Sequence, residues 1–279
     1  MPELGARGRT SGDRVAVGDA SLLLDHERRP HPGPGLRIEE LRARRRADLR
    51  PVALDPDDVR GGAVQYWMWN GVAAARDDAR MSGRDARYEL TIMADRPLGR
   101  ERPKTSGHRH VRPAPGRPIF PEVCQVLAGT AAFLLQDLEA GPAATYAALV
   151  VVEPGEWIVL PPGLHHGTIS LRGEPVIFAD VIDRRAAAEY ASLASARGFA
   201  HLVLTDGSTV PNPAYVHVPP LEHWTASTWS SSLAGSLYER YRDDPAEFRW
   251  LSEPEEFARR FPEFARWLRP ILARSGEPL

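Results

Sequence analysis

Four side chains in this sequence have the types and spacing to hold one divalent metal ion. His108 and His110 stand two apart, Glu122 opens the segment PEVCQVLAG after its proline, and His166 follows a Pro-Pro-Gly turn. On a strand, side chains at i and i+2 leave the same face, so the two histidines chelate one ion with little rearrangement. Three imidazoles and one carboxylate suit Fe2+, Mn2+, Ni2+, Zn2+ or Co2+, and leave coordination positions open for a small-molecule substrate. His165 is the ambiguous neighbour, and alternation sends it to the face opposite His166. His26, His31, His201, His217 and His223 lack such context and read as structural or solvent-exposed.

The offsets add specificity. Glu122 is followed by six residues and then Gly129. Gly155 is followed by five residues, Pro161-x-Gly163, two more residues and His166. These are the two cupin motifs, with Ser170 where the second usually ends in Asn. They predict an all-β fold, the cupin double-stranded β-helix or jelly-roll barrel.

The elements that must position these residues follow the same pattern. From residue 63, short apolar runs recur about every ten residues between Gly and Pro turns, as in an antiparallel sandwich or barrel. The spacing predicts strands in AVQYWMWNGV, RYELTIMADRPLG, VCQVLAGTAAFLLQDL, TYAALVVVEPGEWIVLPPG, GTISLRGEPVIFADVID and HLVLTDGSTV. Residues 1–20 read as a disordered tail. Residues 21–218 read as the barrel with flanking elements, including a short helix over 37–50 and a helical interruption, RRAAAEYASLASARGF, with Gly198 as its C-cap. Residues 219–279 read as a C-terminal α-helical extension. There Asp244-Pro245 predicts N-cap and N1, and Ser252-x-x-Glu255 a capping box. Phe257, Phe261, Phe264, Trp267 and Leu268 mark an apolar helical face.

Composition bounds the function. The chain has 279 residues, 43% of them hydrophobic, and a net charge of −2, so no global basic field invites nucleic acid or an acidic membrane. A single cysteine, Cys124, excludes an internal disulfide and any thiolate-rich metal site. The absence of an apolar signal segment or an 18-residue apolar run favours a soluble, cytoplasmic protein. Lys104 is the only lysine and lies four residues before His108.

The segments PKTSGHRH, PEVCQVLAGTAAFLLQ and EPGEWIVLPPGLHHGTISLRGEPVIF resemble the cupin-type phosphoglucose isomerases of archaea and some bacteria. So do the long loop between His110 and Glu122 and the pattern Asn212-Pro213-Ala214-Tyr215 after GFAHLVL. The resemblance covers about residues 20–215. It implies interconversion of glucose 6-phosphate and fructose 6-phosphate with one bound iron or manganese ion, in a homodimer. Carried over by position, Thr105, Gly107, His108, His110, Glu122 and His166 match the family. Glu122 would both bind metal and carry the proton between C1 and C2, with a hydride shift as the competing mechanism. Lys104 is then a catalytic candidate, and it joins Thr105 and Thr91 as candidates for the phosphate. Tyr66 and Tyr190 are candidate substrate contacts.

The sequence also departs from that family. A tyrosine commonly found two residues after the glutamate is Cys124 here, on the same inward face and so a candidate substrate contact, although a packed thiol is its plainer role. Two further polar positions of the family fall near Ile182 and Ala188. The metal shell is kept and the substrate shell altered, so the expectation is a divergent isomerase acting on a sugar phosphate or related polyhydroxy compound. An Fe(II)-dependent cupin oxygenase, or another metal-dependent cupin enzyme of specialised metabolism, is the alternative. A non-catalytic sugar-binding or storage cupin is the third reading.

Overall fold

A computed structural model describes residues 14–25, 27–114, 118–138, 142–230 and 233–264. The chain opens with a small antiparallel sheet, β1 (Arg14–Val17), β2 (Ala20–Leu24) and β3 (Pro30–Pro32). Strands β4 (Leu36–Arg45) and β5 (Val64–Ala74) follow, then the short helix α1 (Asp78–Met81) and β6 (Ala86–Met93). Next come β7 (Arg109–Val111), β8 (Glu122–Ala128), β9 (Ala131–Leu138), β10 (Ala144–Val152), β11 (Trp157–Leu160), β12 (His165–Ser170) and β13 (Val176–Asp183). After β14 (Ala187–Glu189), helix α2 (Ala191–Ser195), β15 (His201–Val203) and β16 (Thr209–Pro211), the chain adds β17 (Leu221–Thr225).

Two sheets make the cupin jelly roll. One has six strands in the order β11-β8-β13-β6-β5-β4, and the other four in the order β12-β9-β10-β17. All their pairings are antiparallel except that of β10 with β17, which is parallel. Every residue of β11, β12 and β13 is buried. For β11 and β13 this follows from layers on either side, the partner sheet inside and the C-terminal elements outside, while β12 is covered by Phe199 and the segment carrying Gly107.

Those elements are α3 (Ala226–Trp229), α4 (Leu237–Asp243), a 3-10 turn over 245–251 and α5 (Pro254–Arg260). They dock on the outer face of the six-stranded sheet. Gln125 of β8 donates to Gly235 O at 2.7 Å and accepts from Leu237 N at 2.8 Å. Tyr241 Oη donates to Ala86 O at 2.6 Å, and Tyr238 packs edge-on against Tyr88 at 5.2 Å. Phe257, Phe261 and Phe264 are buried as the apolar face requires, and Trp267 and Leu268 lie outside the described residues.

Several local expectations are corrected. Residues 37–50 are not a helix: β4 runs to Arg45, and a 3-10 turn covers 46–52. The segment has helix-compatible residues, but pairing with β5 satisfies its backbone and overrides that weak preference. Strand β1 and the start of β2 occupy part of the segment read as disordered, while residues 1–13 lie outside the described residues. The interruption after β13 is split between β14, which pairs with β7, and the five-residue α2. Gly198 does close it, with φ +98° and its N–H on Leu193 O at 2.8 Å. The C-terminal extension begins with a strand, β17, rather than a helix. Asp244 and Pro245 take the predicted N-cap and N1 places, but Ser252 caps nothing: its hydroxyl donates to Asp183 Oδ2 at 2.5 Å, and Glu253 is the N-cap of α5. Among the described residues, no helix is long and apolar enough to cross a membrane.

Candidate metal centre

The site forms where a short extended segment crosses from one sheet to the other. Residues 104–108 run antiparallel along the edge of β12, with bridges from Lys104 to Ile169 and from His108 to His166. His108 N donates to His166 O at 3.0 Å, and His166 N donates to His108 O at 2.8 Å. Two glycines permit this close crossing. A Cβ on Gly107 would lie 2.5 Å from Phe199, and one on Gly167 would lie 2.8 Å from the same ring. The Asn212–Tyr215 pattern holds that ring in place. Asn212 donates to Phe199 O at 2.8 Å, and Tyr215 Oη donates to Gly198 O at 2.7 Å.

The crossing brings the four expected ligands together. One ligand atom from each of His108, His110, Glu122 and His166 lies within 4.8 Å of the others. His108 and His110 approach Nε2 to Nε2 at 3.2 Å, and Glu122 Oε2 is 3.5 Å from both His110 Nε2 and His166 Nε2. Two nitrogens bound to one ion at about 2.1 Å and near a right angle stand about 3 Å apart, so this crowding is what co-ligands produce. His166 Nε2 is buried without a hydrogen-bond partner. The far nitrogens are held, His110 Nδ1 by Phe120 O at 3.1 Å and His166 Nδ1 by Leu164 O at 3.2 Å. When those nitrogens donate to the carbonyls, both Nε2 lone pairs point inward. The donor set therefore fits a divalent metal. His165 points away, to Ser192 Oγ at 2.7 Å.

The electrostatics agree. Burial, with the neighbouring imidazoles, holds His108 well below the usual histidine range and lowers His110 to about 4. Both are thus neutral ligands at neutral pH. Burial alone would raise the Glu122 carboxyl, but His166 and His110 outweigh it and hold it low, hence ionised.

These ligands stand in a cavity of about 410 Å³. Of the remaining candidates, Thr91, Thr105, Gly107, Tyr66 and Tyr190 all line it. Tyr66 Oη pairs with Ser106 Oγ at 2.9 Å, and Thr105 Oγ1 accepts from Thr168 N at 2.9 Å. Tyr190 packs 5.2 Å from His108 and lies under the Arg44 guanidinium, 5.0 Å from it. Ile182 and Ala188 also line the cavity, so the altered positions do face its contents.

Two candidates are placed elsewhere. Lys104 is buried away from this cavity, its ammonium donating to Val52 O at 2.7 Å and to the Glu101 carboxylate. It is a structural ion pair rather than a phosphate or catalytic group. Cys124 shares the inward face with Glu122 but is 0% exposed, and it donates to Glu122 Oε1 at 3.1 Å. It orients the glutamate rather than touching substrate. Burial, then Glu122, pushes its thiol well above the usual range, so it stays a thiol.

The sequence reading missed the charged wall. Arg42, Arg44, Arg87, Glu89 and Asp180 line the cavity. Arg42 and Arg44 belong to β4, where residues two apart share one face, a placement that a helical reading concealed. Glu89 carries a carboxyl raised to about 7 by burial, despite its bond to Arg87. Burial, with Glu89 and Glu122 nearby, raises Asp180 well above its usual range.

Comparison with known proteins matches this framework. Residues 43–219 match the family model described as glucose-6-phosphate isomerase (GPI). The glucose-6-phosphate isomerases of Thermococcus gammatolerans and Pyrococcus furiosus are each 28% identical over 126 residues, which is 45% of this chain and 61% of theirs. The match thus spans about three-fifths of those relatives' length. Among solved structures, recombinant oxalate oxidase in complex with glycolate aligns at a TM-score of 0.29 and 15% identity, covering 38% of this chain and 46% of that one. A cupin 2 conserved barrel domain protein from Rhodopseudomonas palustris aligns at 0.30 and 13% identity, covering 44% and 65%. With the family model matched across most of the barrel, the chain belongs to the glucose-6-phosphate isomerase family.

Proposed function

We propose that this protein is a metal-dependent aldose–ketose isomerase acting on a sugar phosphate or a close polyhydroxy relative, with Fe2+ or Mn2+ in the quartet. One observation carries the reading: a single cavity joins the three-His, one-Glu quartet to a wall bearing Arg42 and Arg44. An ion held by His108, His110, Glu122 and His166 would supply Lewis-acid polarisation of a carbonyl and its neighbouring hydroxyl. Glu122, ionised and oriented by the Cys124 thiol, takes the proton from one carbon and returns it to the next. Arg44 stands over the Tyr190 ring on the cavity wall, where its guanidinium can meet an anion. With Arg42 it takes the phosphate that Lys104 cannot reach. Tyr66, Ser106 and Thr91 offer hydroxyls to the sugar, and Tyr190 closes the side next to His108.

The test is NMR in deuterium oxide with metal-replete protein and a panel of sugar phosphates, glucose 6-phosphate first. Deuterium entering the exchanging carbon, with conversion to the ketose, is the expected result. No conversion and no exchange across the panel would sink the proposal. A second reading, an Fe(II)-dependent oxygenase, draws on the apolar side of the cavity formed by Phe133, Leu160, Phe178 and Ile182. Substrate-dependent oxygen uptake by the iron form would select it.

A further inference from the structure

One carboxyl group in the cavity has no role in the isomerase chemistry. Asp180 lies in the middle of β13, in register with Glu89 on β6 and with Cys124 on β8. One step along the same face, Ile182 is in register with Arg87 and Glu122. Three carboxyl groups, those of Glu89, Glu122 and Asp180, thus share one buried patch. In so dry a place a carboxyl group ionises only beside a partner and otherwise keeps its proton. Glu122 has the histidines and the metal position, and Glu89 is bonded to Arg87. Asp180 is 5% exposed, faces the cavity and accepts no hydrogen bond from any described residue. Arg87, the one cation acting on it, is already committed to Glu89.

A second metal ion does not fit the gap. Among the described residues, the group of ligand atoms close enough to share an ion is the quartet of His108, His110, Glu122 and His166, without Asp180 or Glu89. Side chains directly opposite on neighbouring strands have Cβ atoms about 5 Å apart, so this spacing suits a cation carried on a ligand.

We propose that Asp180, backed by Glu89, receives a protonated amine of the substrate, so that the cavity selects an amino-sugar phosphate over the neutral sugar phosphate. This rests on the isomerase reading above. Asp180 is the diagonal neighbour of Glu122, about 7 Å away between strands. That distance puts the amine beyond the two carbons that exchange hydrogen, at the third or fourth carbon. Along the strand direction, the rung of Asp180 is the next inward-facing one after that of Glu122. It places the amine one rung beyond the exchanging carbons.

The experiment is calorimetric titration of the metal-loaded protein at pH 6.5. The probes are glucose 6-phosphate, its 3-amino-3-deoxy and 4-amino-4-deoxy counterparts, and their N-acetyl forms. One amino sugar should bind about tenfold or more tighter than glucose 6-phosphate, the scale of a charge-assisted hydrogen bond. Acetylation should abolish the gain. Asp180→Asn, which keeps the shape and removes the charge, should bring the affinities within about twofold and leave metal content unchanged. Equal or weaker binding of both amines, a gain that survives acetylation, or a preference retained in Asp180→Asn overturns the inference. Deuterium exchange into glucose 6-phosphate separates the two claims. Exchange without amine preference keeps the isomerase and removes this inference, whereas binding of neither sugar removes both.

Discussion

Alanine at Gly107 strains the segment that delivers His108 in two separable ways. Gly107 has φ +69°, and a Cβ there would lie 2.5 Å and 2.7 Å from Phe199 ring carbons and 2.9 Å from Leu193 Cδ1. The left-handed backbone costs an L-residue about 1–2 kcal/mol. Overpacking against a held ring adds about 1–3 kcal/mol. Phe199 cannot easily retreat, being 4% exposed with its carbonyl bonded to Asn212. Gly35 is the control, with φ +77° and nothing within 4 Å of an added Cβ. Only the backbone cost applies there, and the unfolded-state benefit of Gly→Ala is common to both positions. Gly35→Ala should therefore lose about 1 kcal/mol and Gly107→Ala about 2–4 kcal/mol, read by urea unfolding of the metal-free protein. His108 follows Gly107 directly, so Gly107→Ala should also weaken metal binding by about 10–100-fold, as loss of a ligand's support does. Gly35→Ala should leave the metal alone. Equal stability losses in the two variants, or undiminished metal affinity in Gly107→Ala, would refute the reasoning.

Other outcomes follow from the same geometry. His166→Ala should lose more metal affinity than the roughly 10–100-fold that a missing outer partner costs, while His165→Ala, which breaks only the bond to Ser192, keeps one ion per chain by elemental analysis. The sign for pH is set by the imidazoles. Burial lowers His110 to about 4 and His108 well below its usual range, so both are already neutral when metal arrives. Protonation of His108 and His110 should therefore weaken metal binding only below about pH 5, and a loss between 7 and 6 that His110→Gln removes would contradict this. Because these folded-state values are depressed, the metal-free protein should hold full stability above 6.5 and lose it as pH falls from 6.5 towards about 4, followed by thermal melting. Lys104→Met should leave Glu101 buried without its cation and cost about 3–5 kcal/mol, a drop of about 10 °C in Tm, with metal and sugar binding unchanged.

The metal quartet was legible because its information is local. The i, i+2 spacing of His108 and His110 and the offsets ending at Glu122 and His166 state which side chains share a strand face, and the period of two also separates His166 from His165. The strand segments of the barrel were legible for the same reason. The helix over 37–50 was not, because Arg, Leu, Ala and Glu favour a helix weakly, and only pairing with β5 makes β4 a strand. That one misreading hid Arg42 and Arg44, the charges that replace Lys104 on the cavity wall.

By itself, then, the sequence determined a cupin barrel, the four ligands and most of the hydroxyls around them, since each depends on residues a few positions apart. Only the tertiary structure decided which charged groups line the cavity. Lys104 is taken up by Glu101 and by the carbonyl of Val52, fifty-two residues away in sequence. Glu89, Asp180 and Cys124 become neighbours only through the register of three strands. Charge balance in a buried site is a property of such neighbours, so it emerges from the fold and not from any one segment.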